Sequence, residues 1–288
     1  MDLKIRGQSA VITGASKGIG RAVAERLAAE GVNIHLVARP VTTLETAAAE
    51  LKDRYGVDAG FSALDLSVSS NVDQLFAEYS GTMDILVNNA GAIPGGSIDR
   101  VDEATWRQAW DLKVFGYINM CRLAYNRMRY VGHGVIINII GAAGERPSPG
   151  YIAGAGGNAS LMAITRGLGG HSLSDGIRVV AINPGLIRTE RLVTILKAQA
   201  EESLGDENRW GELIDSVFTP GEPHHIADLT AFLASDLSGN TTGTVFTVDG
   251  GSSARCFRYR LSHFDGNLSA RVSMCPAGIY LGFVMRTG

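Results

Sequence analysis

No run of this 288-residue chain is apolar for long enough to cross a bilayer. The longest candidates are interrupted, as Asn138 interrupts Val135–Ile140, and a spanning helix needs about 20 consecutive apolar residues. The opening MDLKIRGQSAVIT leads directly into a strand pattern without the long apolar stretch of a secretion signal, so a cytoplasmic location is expected. Cysteine is scarce. Cys121, Cys256 and Cys275 are odd in number and lack metal or redox spacing, which excludes a disulfide framework and fits free thiols in a reducing compartment. His224-His225 have no evident third ligand, so no metal site is expected. A basic excess is also missing. With 26 Lys and Arg against 29 Asp and Glu, the net charge of −3 gives no footprint for nucleic acid or a membrane surface.

What is present is a globular composition, 45% apolar and 19% charged, with 36 glycines. Short runs rich in Val and Ile at 10–13, 33–38, 59–64, 84–88, 135–140, 178–183 and 245–248 read as buried strands. Amphipathic stretches near 19–30, 41–54, 69–80, 103–130, 151–173, 188–204 and 224–235 alternate with them. Asp102 before Thr105 reads as a helix start and Gly31 as a helix stop. Strict alternation predicts a Rossmann-type α/β fold, a doubly wound sheet of about seven mainly parallel strands with helices on both faces. No repeat or low-complexity linker interrupts residues 1–251, which read as one domain including the ligand pocket. Residues 252–288 form an atypical tail with five Arg, no Lys and a single acid, Asp265. Three readings of that tail stay open: a disordered extension, a segment that docks on a neighbouring subunit, or a non-native readthrough.

The first strand runs into Thr13-Gly14-Ala15-Ser16-Lys17-Gly18-Ile19-Gly20 and then a helix. Glycines permit a sharp turn and close backbone approach, and the helix N-terminus offers unpaired N–H groups and a partial positive charge to a pyrophosphate. That context makes the turn a dinucleotide site. The second strand ends in Ala38-Arg39, where a carboxylate would have bound a ribose 2′-hydroxyl. Arg39 and Lys17 together suit a 2′-phosphate, so NADP(H) is favoured over NAD(H).

Thr13-Gly-x-x-x-Gly-Ile-Gly20 resembles the cofactor turn of the short-chain dehydrogenases/reductases, and the likeness continues in register. Asp65, followed by Leu66, matches the residue facing the adenine. Asn88-Asn89-Ala90-Gly91 matches the motif after the fourth strand. Asn183-Pro184-Gly185 matches the loop after the sixth, with Thr189 near the nicotinamide amide. Thr242-Gly243 and Val248-Asp249-Gly250-Gly251 match the last strand. The resemblance implies cofactor contacts at Gly14, Ser16, Lys17, Gly18, Ile19, Gly20, Arg39, Asp65, Leu66, Asn89, Ala90, Gly91, Pro184, Gly185 and Thr189. It also implies a small carbonyl or alcohol substrate and a homodimer or homotetramer packed through the helices near 103–130 and 151–173.

The family's proton machinery is Asn, Ser, Tyr and Lys, and this chain departs at three of the four positions. Tyr151 is in register, but Ala155 stands where the lysine would follow four residues later. Gly141 stands at the serine position, only ten residues before Tyr151, and Lys113 at the asparagine position. Unassisted tyrosine, with a pKa near about 10, is a poor base at neutral pH. Three arrangements are open. Lys113 could supply the missing cation from the neighbouring helix, an ammonium about 5 Å away being worth roughly 3 kcal/mol at an effective dielectric of about 20. The domain could instead bind NADP(H) without turnover. Or another group could serve, such as Asn158, seven residues after Tyr151, at the lysine spacing of the superfamily's divergent enoyl reductases. Ser148, Glu145 and Arg146 are weaker candidates at the same edge. The first arrangement is adopted as the expectation: an oxidoreductase with Tyr151 and Lys113 as catalytic residues.

Overall fold

A computed structural model of the protein describes residues 2–214 and 220–254. It gives the backbone alone at 198, 199, 202 and 203 and in the strands 257–261, 268–275 and 278–285. The chain divides into two compact units, 1–249 and 250–288, two residues earlier than the expected boundary.

In the first unit, seven strands form one parallel sheet: β1 (Ser9–Thr13), β2 (Asn33–Ala38), β3 (Ala59–Ala63), β4 (Ile85–Asn88), β5 (Gly134–Ile139), β6 (Ile177–Pro184) and β7 (Val245–Val248). Their order is β3-β2-β1-β4-β5-β6-β7. The connecting helices are α1 (Gly18–Ala29), α2 (Val41–Tyr55), α3 (Ser69–Glu78), α4 (Glu103–Trp110), α5 (Gly116–Val131), α6 (Ile152–Gly169), α7 (Glu190–Leu204) and α8 (Pro223–Ala234). Alternate residues of a strand point to opposite faces. On β1, Ala10 and Ile12 pack with α1, α2 and α8, whereas Val11 packs with α3 and α5. Both faces are therefore covered, which is why the strands read as continuous apolar runs. The strand order reverses between β1 and β4, where the chain crosses from one half of the parallel sheet to the other, and that switch point opens a crevice at the carboxyl ends, where open α/β sheets bind ligands.

The stretch expected as one helix over 103–130 is α4 and α5 joined by a π-helical turn, Asp111–Phe115. Asp102 caps α4 by accepting from the Thr105 amide at 2.8 Å. Gly31 follows α1 with φ +83°, the left-handed step that ends a helix.

The second unit contains β8 (Phe257–Leu261), β9 (Leu268–Cys275) and β10 (Gly278–Met285), an antiparallel sheet in the order β10-β9-β8. The tail that the sequence marks as atypical thus contains regular strands. Its apolar residues alternate, as Leu268, Ala270, Val272 and Met274 do on β9, and that two-residue period suits a pleated strand. Cys256 lies outside the described residues.

Candidate active site

β1 delivers the chain into the glycine-rich turn, and the turn fixes α1 so that its N-terminus faces the crevice. Gly14 and Gly18 adopt φ +64° and +60°, which a side-chain-bearing residue rarely does. A Cβ at Gly20 would overlap the Gly14 carbonyl oxygen and stand 2.5 Å from Asn89 Nδ2. Asn89 holds the turn shut: its Nδ2 donates to the carbonyls of Thr13 and Gly14, both at 3.1 Å, and its backbone N–H donates to Thr13 Oγ1 at 2.9 Å. Ala90 donates to the same hydroxyl. The N-cap of α1, Lys17, provides no side-chain cap, so no side-chain oxygen at that position takes up the first N–H groups of the helix. This is the cradle an anionic pyrophosphate requires.

The remaining predicted cofactor residues surround that turn in part. Thr189 caps α7, accepting from the Leu192 amide at 3.3 Å, and its Cγ2 lies 3.4 Å from where a Gly18 Cβ would sit. Lys17 Nζ reaches Glu190 at 2.9 Å. Ser16 and Ile19 flank the turn half-buried, and Leu66 is buried. At the end of β2, exposed Arg39 stands 3.9 Å from Asp65. Burial would raise the Asp65 pKa, but hydrogen bonds from Ser67 and the Arg39 guanidinium together hold it below the ordinary carboxylate value. Pro184 ends β6, and the Gly185 amide donates to the Val248 carbonyl at 3.0 Å. Gly185 is packed so closely on Asp249 that a Cβ would lie 2.6 Å from the aspartate Cβ.

The second half of the crevice is the β5–α6 edge. Tyr151 stands at the N-cap of α6, tied by a backbone bridge to Gly96 in the loop after β4. Its ring folds back over the first turn, with the hydroxyl oxygen 2.6 Å from where a Gly154 Cβ would sit. Only glycine at 154 leaves that space. Burial raises the Tyr151 pKa, and the Arg191 guanidinium opposes the rise. Arg191, at the start of α7, donates to the carbonyls of Gly91 and, at 2.9 Å, Ile93. No sequence signal marked Arg191, because the fold brings it 100 residues back along the chain.

Lys113 lies in the π-helical turn, 7% exposed. Its Nζ donates to the Tyr117 hydroxyl and to the Ile139 carbonyl, each at 2.8 Å, and Tyr117 donates to the same carbonyl at 2.8 Å. Its side chain also passes under Gly91, with Nζ 3.4 Å from where a Cβ would sit. Desolvation, and then the charge of Arg191, lower the Lys113 pKa to about 7. Burial holds the Tyr117 pKa well above its usual value. The expected partner of Lys113 was Tyr151, but its described hydrogen bonds go to Tyr117 and Ile139. The lysine-to-tyrosine spacing of four residues, one helical turn, is the signal that would have revealed Tyr117.

Gly141, two residues after β5, has φ +145°, and a Cβ there would stand 2.8 Å from Asn158 Nδ2. The position is thus closed to serine by backbone conformation and by contact. Glu145 accepts from Asn183 at 3.1 Å and from Thr247 at 2.8 Å, so it braces β6 and β7. His224 and His225 belong to the start of α8, where His225 Nδ1 accepts from the Glu222 amide at 3.0 Å. No metal-holding cluster of His, Cys, Asp or Glu exists among the described residues. No helix among them is long and apolar enough to cross a membrane.

Comparison with known proteins agrees with this geometry. A family model described as enoyl-(acyl carrier protein) reductase matches residues 14–253. The 3-oxoacyl-[acyl-carrier-protein] reductase of Chlamydia muridarum is 32% identical over 255 residues, covering 87% of this chain and 99% of that one. L-sorbose reductase from Gluconobacter frateurii, solved with NADPH and L-sorbose, superposes with a TM-score of 0.80 at 33% identity, covering 87% of this chain and 98% of that one. NAD+-bound xylitol dehydrogenase gives a TM-score of 0.80 at 25% identity, covering 86% and 100%. With the matched model spanning the cofactor turn, the Tyr151 edge and the last strand alike, this chain belongs to the short-chain dehydrogenase/reductase family.

Proposed function

We propose that the protein is an NADP(H)-linked oxidoreductase that moves a hydride between the nicotinamide and a small carbonyl or alcohol substrate, with Tyr151 as proton donor and acceptor. One observation carries the reading: Tyr151 is seated at the N-terminus of α6 with its hydroxyl held over Gly154, in a chain whose phosphate cradle is complete. The reductases and dehydrogenases it resembles support the hydride chemistry, and those solved with cofactor hold NADPH, NADH or NAD+.

NADP(H) would rest on the N-terminus of α1 and the Gly14–Gly20 turn, with Asp65 and Leu66 beside the adenine. Ala90, Gly91, Pro184, Gly185 and Thr189 would flank the nicotinamide half. When bound, it supplies or accepts the hydride. Arg39 is the residue that selects the 2′-phosphate, since it is exposed at the end of β2 where no carboxylate competes except the more distant Asp65. During reduction Tyr151 donates its proton to the carbonyl oxygen as that oxygen gains charge. The phenolate left behind is favoured by Arg191, whose charge already opposes the effect of burial. Lys113, fixed by Tyr117 and the Ile139 carbonyl, supplies a second cation below about pH 7.

One observation favours a competing reading, a domain that binds NADP(H) without turnover: two of the three N–H donors of the Lys113 ammonium go to Tyr117 and Ile139. Incubation with NADPH deuterated at the transferable position and a mixture of ketones separates the two. Deuterium in a product alcohol is expected. Tight NADPH binding with no deuterated product would establish the non-catalytic reading.

A further inference from the structure

Asn158 is 4% exposed in α6, yet its carboxamide makes no hydrogen bond among the described residues. The one side-chain polar atom there that is sealed from solvent without a partner is Asn88 Oδ1, so the unbonded Asn158 amide keeps contact with open space. Buried amides are normally paired, and an unpaired one is costly unless a ligand completes it.

Two further observations say what that space is. Beyond β5, the volume that a Gly141 side chain would enter is filled by the Asn158 carboxamide, with Nδ2 nearest at 2.8 Å and Oδ1 at 3.8 Å. Position 141 is where the family pattern has a serine. The Tyr151 hydroxyl, for its part, lies 2.6 Å from where a Gly154 Cβ would sit. Residues 154 and 158 are one turn apart on a single helix face, with Cβ positions about 5–6 Å apart. The hydroxyl and the carboxamide therefore belong to successive turns of one face of α6.

A purely structural role would require Asn158 to hold the 141–144 loop. That loop is held otherwise. The Gly141 amide donates to Asn183 Oδ1 at 3.3 Å, and Gly144 packs directly on the α6 backbone and Met162 Sδ.

The geometry points to Asn158 as a catalytic residue, its amide N–H donating to the reacting oxygen of the substrate in place of the absent serine hydroxyl. The inference rests on the reductase reading above. In the reduction, hydride adds to the carbonyl carbon, the carbonyl π pair moves to oxygen, and the Tyr151 O–H bond breaks to give that oxygen its proton. No bond of Asn158 forms or breaks. Its donor is aimed at charge that grows on the oxygen, so it acts on kcat more than on ground-state binding. The division of labour is strict, because a carboxamide cannot deliver the proton and Tyr151 must.

The test uses a ketone panel that includes ethyl acetoacetate and L-sorbose, with the parent, Asn158→Asp and Asn158→Ala. Asn158→Asp keeps the shape and removes the donor. Both variants are expected to lose about 100-fold in kcat, with NADPH affinity unchanged. In the parent bound to NADP+, the infrared carbonyl stretch of 13C-labelled ethyl acetoacetate is expected below its value in the Asn158→Ala complex. An active parent whose variants keep their kcat overturns the role of Asn158 and leaves the reductase reading standing. A parent that binds NADPH and reduces no ketone overturns both. Should Asn158→Ala fail to fold, the parent alone decides: a bound carbonyl stretching at its aqueous frequency overturns the inference.

Discussion

The two ends of the crevice follow different rules. At the β1–α1 turn, nothing that the family pattern requires has changed, and the structure shows why nothing could. Gly14 and Gly18 hold left-handed conformations, Gly20 has no room for a Cβ, and Asn89 Nδ2 donates to two carbonyls that close the turn. The anion cradle proposed there rests on backbone N–H groups, which no side chain can replace. At the β5–α6 edge the surface is made of side chains, and three of the four positions that the sequence resemblance assigns to proton transfer hold other residues. The local structure there accommodates two of the replacements: Lys113 has Tyr117 and a carbonyl as partners, and Gly141 takes φ +145° with the Asn158 amide filling the space beside it. A site built from backbone tolerates no redistribution of roles, whereas one built from side chains can pass a role to a neighbour.

The sharpest way to break this contrast is to substitute at the rigid end. Gly20→Ala is expected to weaken NADPH binding about 100-fold, the ~3 kcal/mol upper range of overpacking expressed as affinity. Fluorescence titration measures it, and an unchanged affinity would show that the turn has slack. Next in size is cofactor choice. Arg39→Asp should lower the NADPH-to-NADH affinity ratio roughly 10- to 100-fold, the loss of one charge-assisted bond worth about 1.5–3 kcal/mol. Calorimetric titration giving equal affinities for both cofactors in the parent would remove Arg39 from that role.

The smallest effect probes the adaptable end. The folded-state pKa of Lys113 is about 7, below the unfolded value near about 10.4, so between those limits the unfolded chain holds more protons. The cost of burying the ammonium is fully present below pH 7 and is relieved as pH rises toward 10. Lys113 therefore contributes an increase in stability of at most about 1.4 kcal/mol per pH unit above pH 7. Lys113→Met should remove that slope while leaving the Tyr117 bond to Ile139 in place. Denaturant midpoints at pH 7 and pH 9 measure it, and equal slopes in parent and variant would show that Lys113 keeps an ordinary pKa.

The same contrast explains what the sequence disclosed. The strands were legible because a parallel sheet covered on both faces leaves continuous apolar runs, and all seven appear within a residue or so of the expected bounds. The phosphate turn was legible because backbone demands leave fixed glycines. The π-helical turn at 111–115 was not, since one extra residue in a helix hardly disturbs its apolar stripe. Tyr117 carries no motif of its own, although it sits one helical turn from Lys113. Arg191 left no local trace, because its closeness to Tyr151 comes from the loop after β6 folding over the crevice. Asn158 was visible as a residue at a suggestive spacing, but only the structure shows its amide unbonded beside Gly141.

The central claim is that proton transfer still belongs to Tyr151 although its usual lysine is absent. The direct measurement is single-turnover oxidation of bound NADPH by an accepted ketone, comparing the parent with Tyr151→Phe at matched cofactor saturation. The account predicts that hydride transfer slows by about 10²–10⁴-fold with NADPH affinity unchanged. A Tyr151→Phe enzyme that transfers hydride at the parent's rate would contradict it.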